Sequence, residues 1–248
     1  MRHILARDQR ATLLGFARSN VLLAFDFDGT LAPIVAEPDR AAMRLRTRRL
    51  LGRLARLYPC VVISGRSRVD LRRRLRGLGI LRAIGNHGIE AARRPREFRT
   101  LVRDWRVALS GKLDGLPGVM VEDKGLSLAI HYRRSRRKAR SREAVLRSAS
   151  ALRRARVFGG KEVVNVVPRG APHKGTALEK ERVRLGCETT LYVGDDETDE
   201  DVFSLRTRKR LLGIRVGLKA GSQADYCLRD QTEIDALLQR LIGLRRKG

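Results

Sequence analysis

Long apolar runs are missing from this 248-residue chain. No stretch approaches the roughly 20 residues needed to cross a bilayer. The N-terminal MRHILARDQRATLLGF interrupts its apolar residues with charges and so lacks the continuous block of a secretory signal. A cytoplasmic protein with no membrane partner is the expectation. Cysteine is scarce and odd in number: Cys60, Cys187 and Cys227 are scattered, which fits neither a disulfide framework nor a zinc-type cluster. Cys60 and Cys227 lie in apolar runs and read as buried thiols. Aromatic residues are only 4% of the chain, few platforms on which to stack single-stranded bases. Acids are also short, 27 against 54 basic residues, for a net charge of +27. That charge invites a nucleic-acid reading. Only nine of the basic residues are lysine, however, and the arginines spread through nearly every expected helix without forming a tail or stripe. Loose adhesion to polyanions at low salt follows from this charge, and a dedicated nucleic-acid partner does not.

A hydrophobic content of 42% is enough for a real core, in one large domain or a core carrying a smaller insert. VLLAFDF (21–27) is an apolar run ending in acids, followed by the turn-prone GTLAP, and reads as a buried strand feeding a loop. Leucines at helical spacing over 40–57, a second buried strand CVVIS (60–64), a basic helix through Leu71, Leu75 and Leu78, and the short strand LRAIG (81–85) follow. Alternation of strand and helix is the mark of a right-handed parallel α/β sheet. The middle changes character. One amphipathic helix runs through Phe98, Trp105 and Leu109, and VMVEDKGLSLAIHYR (119–133) alternates like a hairpin with one exposed face. A charged helix (137–152) and the strands RARVFG and EVVNVVP complete this block. The parallel pattern then resumes: a helix (175–186), strand TTLYVG (189–194), an acidic loop and helix (195–208), strand LLGIRVG (211–217), a short edge strand ADYCLRD, and a last helix with Thr232 as its candidate cap. No internal repeat is visible.

Four polar elements stand at strand ends. Asp26 and Asp28 are two apart, so on a strand both carboxylates point to one side, at the carboxyl edge where open α/β sheets bind ligands. GDDETDED (194–201) puts six acids in eight residues after another buried strand. Such crowding calls for solvent or a hard divalent cation, and magnesium accepts a few carboxylates together with waters and a phosphate oxygen. Acids at a helix N-terminus are also favourable in themselves, which suffices for some of Asp199, Glu200 and Asp201. Ser64 and Gly65 offer a hydroxyl and an unobstructed N–H to a phosphate oxygen. Lys174, with Gly175 and Thr176, opens a helix whose N-terminus favours anions.

Taken in order, DFDGTLAP, SGR, HKGTAL and GDDETDED resemble the four motifs of haloacid-dehalogenase-like (HAD) phosphatases. DFDGTLAPIVAEPDRA, GNHGIE (85–90), VEDKGLSLAIHYR and the P…KG spacing of 168–175 are similar to stretches of the trehalose-6-phosphate phosphatase family, over roughly residues 21–217. The resemblance implies a Rossmann-like parallel core from 1–91 and 168–248 with an inserted α/β cap, or lid, at 92–167. It implies that Asp26 attacks phosphorus, that Asp28 protonates the leaving sugar oxygen and then activates water, and that two such close carboxylates favour a protonated Asp28. Mg²⁺ would be held by Asp26, Asp195 and the backbone carbonyl of Asp28, with Asp196 or Asp199 a neighbour through water. Ser64 and Lys174 would hold phosphate oxygens. Glu122 and Lys124 in the cap would contact sugar hydroxyls, and Arg66, His87 and Glu90 would do likewise or brace the core side. Asn165 stands where the family usually has an acid, and Glu162 is expected on the other strand face. The expected protein is a monomeric phosphatase of a small sugar phosphate. Its rivals are a related phosphatase of sucrose phosphate or a glycosyl-phosphoglycerate, a silent regulatory homologue, and a basic nucleic-acid-binding protein.

Overall fold

The computed structural model describes residues 1–91, 95–160, 162–205 and 210–246. The chain runs β1 (Arg2–His3), α1 (Arg10–Arg18), β2 (Val21–Phe25), α2 (Leu45–Leu54), β3 (Cys60–Ile63), α3 (Arg68–Arg74) and β4 (Arg82–Ile84). It continues through α4 (Pro95–Leu113), β5 (Met120–Asp123), β6 (Leu128–His131), α5 (Lys138–Ser150), β7 (Ala155–Gly160) and β8 (Val163–Pro168). It ends with α6 (Lys174–Arg184), β9 (Thr189–Gly194), α7 (Glu200–Phe203), β10 (Leu211–Val216), β11 (Tyr226–Leu228) and α8 (Ile234–Arg246). Two compact units result: Met1–Gly88 with His173–Gly248, and Ile89–Pro172. The first residues of the expected lid, 92–94, and the end of the expected helix over 195–208 lie outside the described residues.

The larger unit is a seven-stranded parallel sheet in the order β1-β11-β10-β9-β2-β3-β4. All five residues of β2 are buried, which explains why it reads as an unbroken apolar run and not as an alternating one. Val21, Leu23 and Phe25 join an apolar cluster with Leu13 and Ala17 of α1, Leu51 and Leu54 of α2, and Leu237, Leu238 and Leu241 of α8. Leu22 and Ala24 are as deeply buried and, by strand alternation, face the other side of the sheet. From β2 the chain builds outward through β3 and β4 on one side, and later through β9, β10 and β11 on the other. The strand order therefore reverses between β2 and β9, at the crevice where such folds bind ligands.

The smaller unit is a four-stranded antiparallel sheet in the order β5-β6-β8-β7. One face packs Leu128, Ile130, Val164 and Val166 against Val102, Trp105 and Leu109 of α4 and Val145 and Ala149 of α5. The fold is thus α/β, a Rossmann-like parallel core with an inserted α/β unit of its own sheet. Among the described residues, no helix is long and apolar enough to cross a membrane.

Two local expectations are corrected. ADYCLRD does not form the sheet edge: β11 pairs with both β10 and the two-residue β1, which is too short to leave a periodic signal. Thr232 does not cap the last helix. Asp230 caps the preceding 3₁₀ turn Gln231–Glu233 by accepting the Thr232 N–H at 2.7 Å, a stronger acceptor one residue beyond a strand-to-helix break.

Leu23 is fully buried between Leu191 of β9 and Cys60 of β3. Leu23→Ala should lower the unfolding free energy by about 2–5 kcal/mol, measured by urea titration. A loss below about 1 kcal/mol would show that the centre of the sheet is loosely packed.

Candidate active site

Register brings three polar segments to one edge. Phe25, the last residue of β2, pairs with Val193 of β9 and Val62 of β3, so Asp26 is level with Gly194 and Ile63, and the residues after both strands surround it. The Asp26 N–H donates to Val193 O at 2.9 Å, fixing the chain as it leaves the sheet. Asp26 is buried, and its Oδ2 lies 3.2 Å from Lys174 Nζ. Lys174 is itself 1% exposed at the start of α6, and its ammonium donates to Asp199 Oδ1 at 2.7 Å. Asp199 is fully buried and saturated. Its Oδ1 also accepts the Tyr192 hydroxyl at 2.6 Å, while its Oδ2 accepts the N–H groups of Asp195 and Asp196, each at 2.8 Å. Asp195 Oδ1 accepts the Thr30 hydroxyl at 3.2 Å. Gly29, with φ +78°, crosses directly over it: a Cβ there would fall 2.0 Å from Asp195 Oδ2, so this turn admits no larger residue.

Charge crowding shows in the protonation energetics. Burial pushes the Asp26 carboxyl well above its ordinary range; Lys174 opposes this, while Asp199, Asp195 and Asp28 add to it. Burial, then Asp199 and Asp196, push Asp195 up to about 8. Asp196 is raised as well, chiefly by burial. Burial alone would lower the Lys174 ammonium, but Asp199 and Asp26 outweigh it and hold the lysine firmly charged.

Asp26, Asp195 and Asp199 each present an oxygen within 4.8 Å of the others. Asp26 Oδ1 is buried and meets no hydrogen-bond donor among the described residues. An orphaned carboxylate oxygen beside two further carboxylates fits a hard, oxygen-seeking divalent cation. Asp196 stands outside this trio; its Oδ1 accepts the Glu197 N–H at 2.7 Å.

Asp28 has a different environment. β2 ends at Phe25, so the rule that neighbours two apart on a strand share a side does not reach Asp26 and Asp28. The two carboxylates take different partners. Arg66 donates through Nε and Nη2 to Asp28 Oδ2 and Oδ1, both at 2.7 Å, a bidentate pair. Nη1 of Arg66 donates to Asp70 at 2.7 Å. Arg74 and Arg73 add to the same acid, and together with Arg66 they override its burial and hold its carboxyl down at about 2. The guanidiniums of Arg66 and Arg74 lie 5.5 and 6.0 Å from the ring centre of Phe27, the residue between the two acids.

Ser64 is buried at the end of β3, and its Oγ accepts the Arg66 N–H at 3.2 Å. Gly65 faces the His87 imidazole, where a Cβ would lie 2.4 Å from the ring. Asn86 and His87 both have left-handed φ, 51° and 55°, strain of the kind that gathers at binding loops. Glu90 falls in the smaller unit. There the register places Glu122, Ala129, Asn165 and Phe158 in one row across β5, β6, β8 and β7, hence on one face, opposite the apolar core. His131 Nε2 is 2.8 Å from Glu122 Oε2, and Lys124 Nζ is 4.0 Å from it. Glu162 is no strand residue at all. It occupies a left-handed turn, φ 59°, paired with Arg133 at 3.2 Å and with Lys138, so strand facing does not decide its role.

The sequence pattern did not single out Tyr192, Thr30, Asp70 or Arg215. Only Arg215 carried a signal, as a charge inside the otherwise apolar LLGIRVG.

Against known proteins, the trehalose-phosphatase family profile matches residues 24–231. A probable trehalose-phosphate phosphatase 4 of Oryza sativa subsp. japonica is 33% identical over 251 residues, covering 92% of this chain and 67% of the relative. Trehalose-phosphate phosphatase B of Arabidopsis thaliana is 29% identical, with coverage of 92% and 67%. Among solved structures, the C-terminal domain of a trehalose-6-phosphate phosphatase from C. albicans superposes with a TM-score of 0.81 at 22% identity, over 94% of this chain and 96% of that one. A sucrose-phosphatase from Synechocystis sp. superposes at 0.56 with 14% identity, over 90% and 98%. At these identities the superpositions speak for the fold.

A pH dependence follows from the crowded acids. Because the folded chain binds the Asp195 proton up to about pH 8 and the unfolded chain only to about 3.8, the folded state holds more protons between those limits. Stability without metal therefore falls as pH rises through that window. The urea midpoint of EDTA-treated protein should decline from about pH 5 to about pH 8, and excess MgCl₂ should restore it at the upper end. A midpoint indifferent to both would mean that the carboxylates do not strain the fold.

Proposed function

The chain belongs to the trehalose-phosphatase family, and on that premise we propose that it hydrolyses trehalose 6-phosphate to trehalose and phosphate through a phosphorylated Asp26. The observation that carries this reading is the Asp26 carboxylate: buried, braced at Oδ2 by Lys174, and with Oδ1 open to no donor among the described residues. Of its two oxygens one would bond phosphorus while the other would face the cation, and a carboxylate so buried and oriented can serve both.

Asp26 forms a bond to phosphorus as the bond from phosphorus to the sugar oxygen breaks. Asp28 gives its proton to that departing oxygen. In the second half Asp28 takes a proton from water, the water oxygen attacks phosphorus, and the bond to Asp26 breaks to release phosphate. Asp28 can serve the leaving oxygen only after exchanging the grip of Arg66, since both its oxygens are held there. Lys174 offsets the repulsion between Asp26 and the phosphate dianion, and Ser64 supplies a hydroxyl to a non-bridging oxygen. Asp26 and Asp195, with the Asp28 carbonyl, would hold Mg²⁺, while Asp199 braces Lys174 and the Asp195 backbone. The bound cation would supply positive charge against the phosphoryl oxygens. Residues 92–167 form the cap in this reading. Its face bearing Glu122, Lys124 and Asn165 is assigned to sugar hydroxyls; Asn165 supplies a hydrogen bond there but no charge.

The test is phosphate release from trehalose 6-phosphate, sucrose 6-phosphate and glucosyl-phosphoglycerate, each with Mg²⁺ and with EDTA. Trehalose 6-phosphate should lead the panel and EDTA should stop release. Asp26→Asn should lower turnover by roughly 10⁴-fold or more while leaving the protein folded. A different leading substrate would overturn the sugar assignment alone. An active Asp26→Asn variant would overturn the covalent route.

A further inference from the structure

Arg215 is the second-last residue of β10, beside Gly194 of β9 and Cys227 of β11. Its side chain is 7% exposed, and a guanidinium cannot shed its charge to suit such a place. Its donors converge on the acidic loop. Nη1 donates to the Asp196 carbonyl at 3.2 Å and to Glu200 Oε1 at 2.9 Å, and Nη2 donates to the Asp195 carbonyl. Glu200 in turn accepts from Ser222 Oγ at 2.7 Å and from the Gln223 N–H at 2.9 Å, so the anchor is fastened to the loop after β10.

We infer that Arg215 is a positioning residue for the cation site, fixing the direction in which Asp195 presents its carboxylate. The inference rests on the metal reading proposed above. The peptide plane between Asp195 and Asp196 is held from both edges, its C=O by Arg215 and its N–H by Asp199 Oδ2. The Asp195 N–H is held by the same Asp199 oxygen, and the Asp196 C=O by Arg215. With the peptides on both sides of Asp195 pinned, its φ and ψ are set, and with them the Cα–Cβ direction. A loop with six acids in eight residues would otherwise spread its carboxylates apart. Arg215 touches only loop carbonyls and Glu200 among its hydrogen-bond partners here, so it acts through Asp195 and not on the phosphate.

The test compares the unaltered chain with Arg215→Lys, Arg215→Met and Glu200→Gln. Mg²⁺ binding is titrated calorimetrically in the absence of substrate, and kcat and KM are measured at saturating Mg²⁺. Arg215→Lys, which keeps the charge but loses the fork, should weaken Mg²⁺ binding roughly 10- to 100-fold, as loss of an outer-shell partner does. KM for the sugar phosphate at saturating Mg²⁺ should move less than about twofold. Glu200→Gln loosens the anchor without removing it and should weaken Mg²⁺ binding in the same direction, less severely; it decides the matter if the Arg215 variants do not fold. A folded Arg215→Lys protein with undiminished Mg²⁺ affinity overturns the inference, as does undiminished affinity in Glu200→Gln when neither Arg215 variant folds. Absence of Mg²⁺ binding in the unaltered protein would instead overturn the metal reading itself, and this inference with it.

Discussion

Everything at the carboxyl edge of the large sheet has to contend with repulsion among buried carboxylates. Asp26, Asp195 and Asp199 approach within 4.8 Å. Two like charges at that distance oppose each other by on the order of 3–4 kcal/mol at an effective dielectric near 20. One lysine cannot cancel three acids, and the Asp26 and Asp195 carboxyls are raised by burial first and by their acidic neighbours after it. The protein meets part of the repulsion with backbone dipoles. Asp199 takes two N–H groups, a hydroxyl and the Lys174 ammonium, and so becomes a tolerated buried anion. What remains uncompensated is centred on Asp26 and Asp195, where the carboxylate cluster is consistent with a metal site.

Topology makes the crowding possible. Asp26 and Asp195 leave neighbouring parallel strands on either side of the point where strand order reverses, where such folds open a crevice. A single helix or hairpin bearing three acids could relax by fraying. Here Asp26 and Asp195 each follow directly on a largely buried strand and Asp199 is bonded to the Asp195 backbone, so spreading the carboxylates would mean disturbing the hydrophobic core. Gly29 is part of the same bargain, since its missing side chain lets the turn after β2 lie against Asp195.

Much of this was legible in the residues. Buried parallel strands read as short apolar runs, and the polar residue ending each run is where function can sit, which is how Asp26, Ser64 and Asp195 stood out. The sheet beyond β11 was not legible, because a two-residue strand such as β1 has no period. Nor were partners. Arg66 belongs to an SGR segment that reads equally well as a phosphate loop, and only the structure shows its fork closed on Asp28. Tyr192 looks like any aromatic in a buried strand until its hydroxyl is found on Asp199. Arginine abundance hid the informative arginines: among 54 basic residues, Arg66, Arg74 and Arg215 are distinguished by burial and by what they hold, which composition does not record.

The separation of Asp26 from Asp28 is the most instructive consequence. Two carboxylates two residues apart suggest a shared environment in which one is forced to keep a proton. The turn that begins immediately after Phe25 sends them instead to opposite kinds of neighbour: Asp26 to a buried lysine within a crowd of acids, Asp28 to a guanidinium at the rim. Two carboxyls with unlike surroundings are the pattern from which distinct roles arise. The turn, and not the spacing, creates the difference. Phe27 lies fully buried beneath the Arg66 and Arg74 guanidiniums, so the arginine that grips Asp28 also packs on the residue that parts it from Asp26. The contrast in surroundings between the two acids is therefore built into the packing of the residue between them.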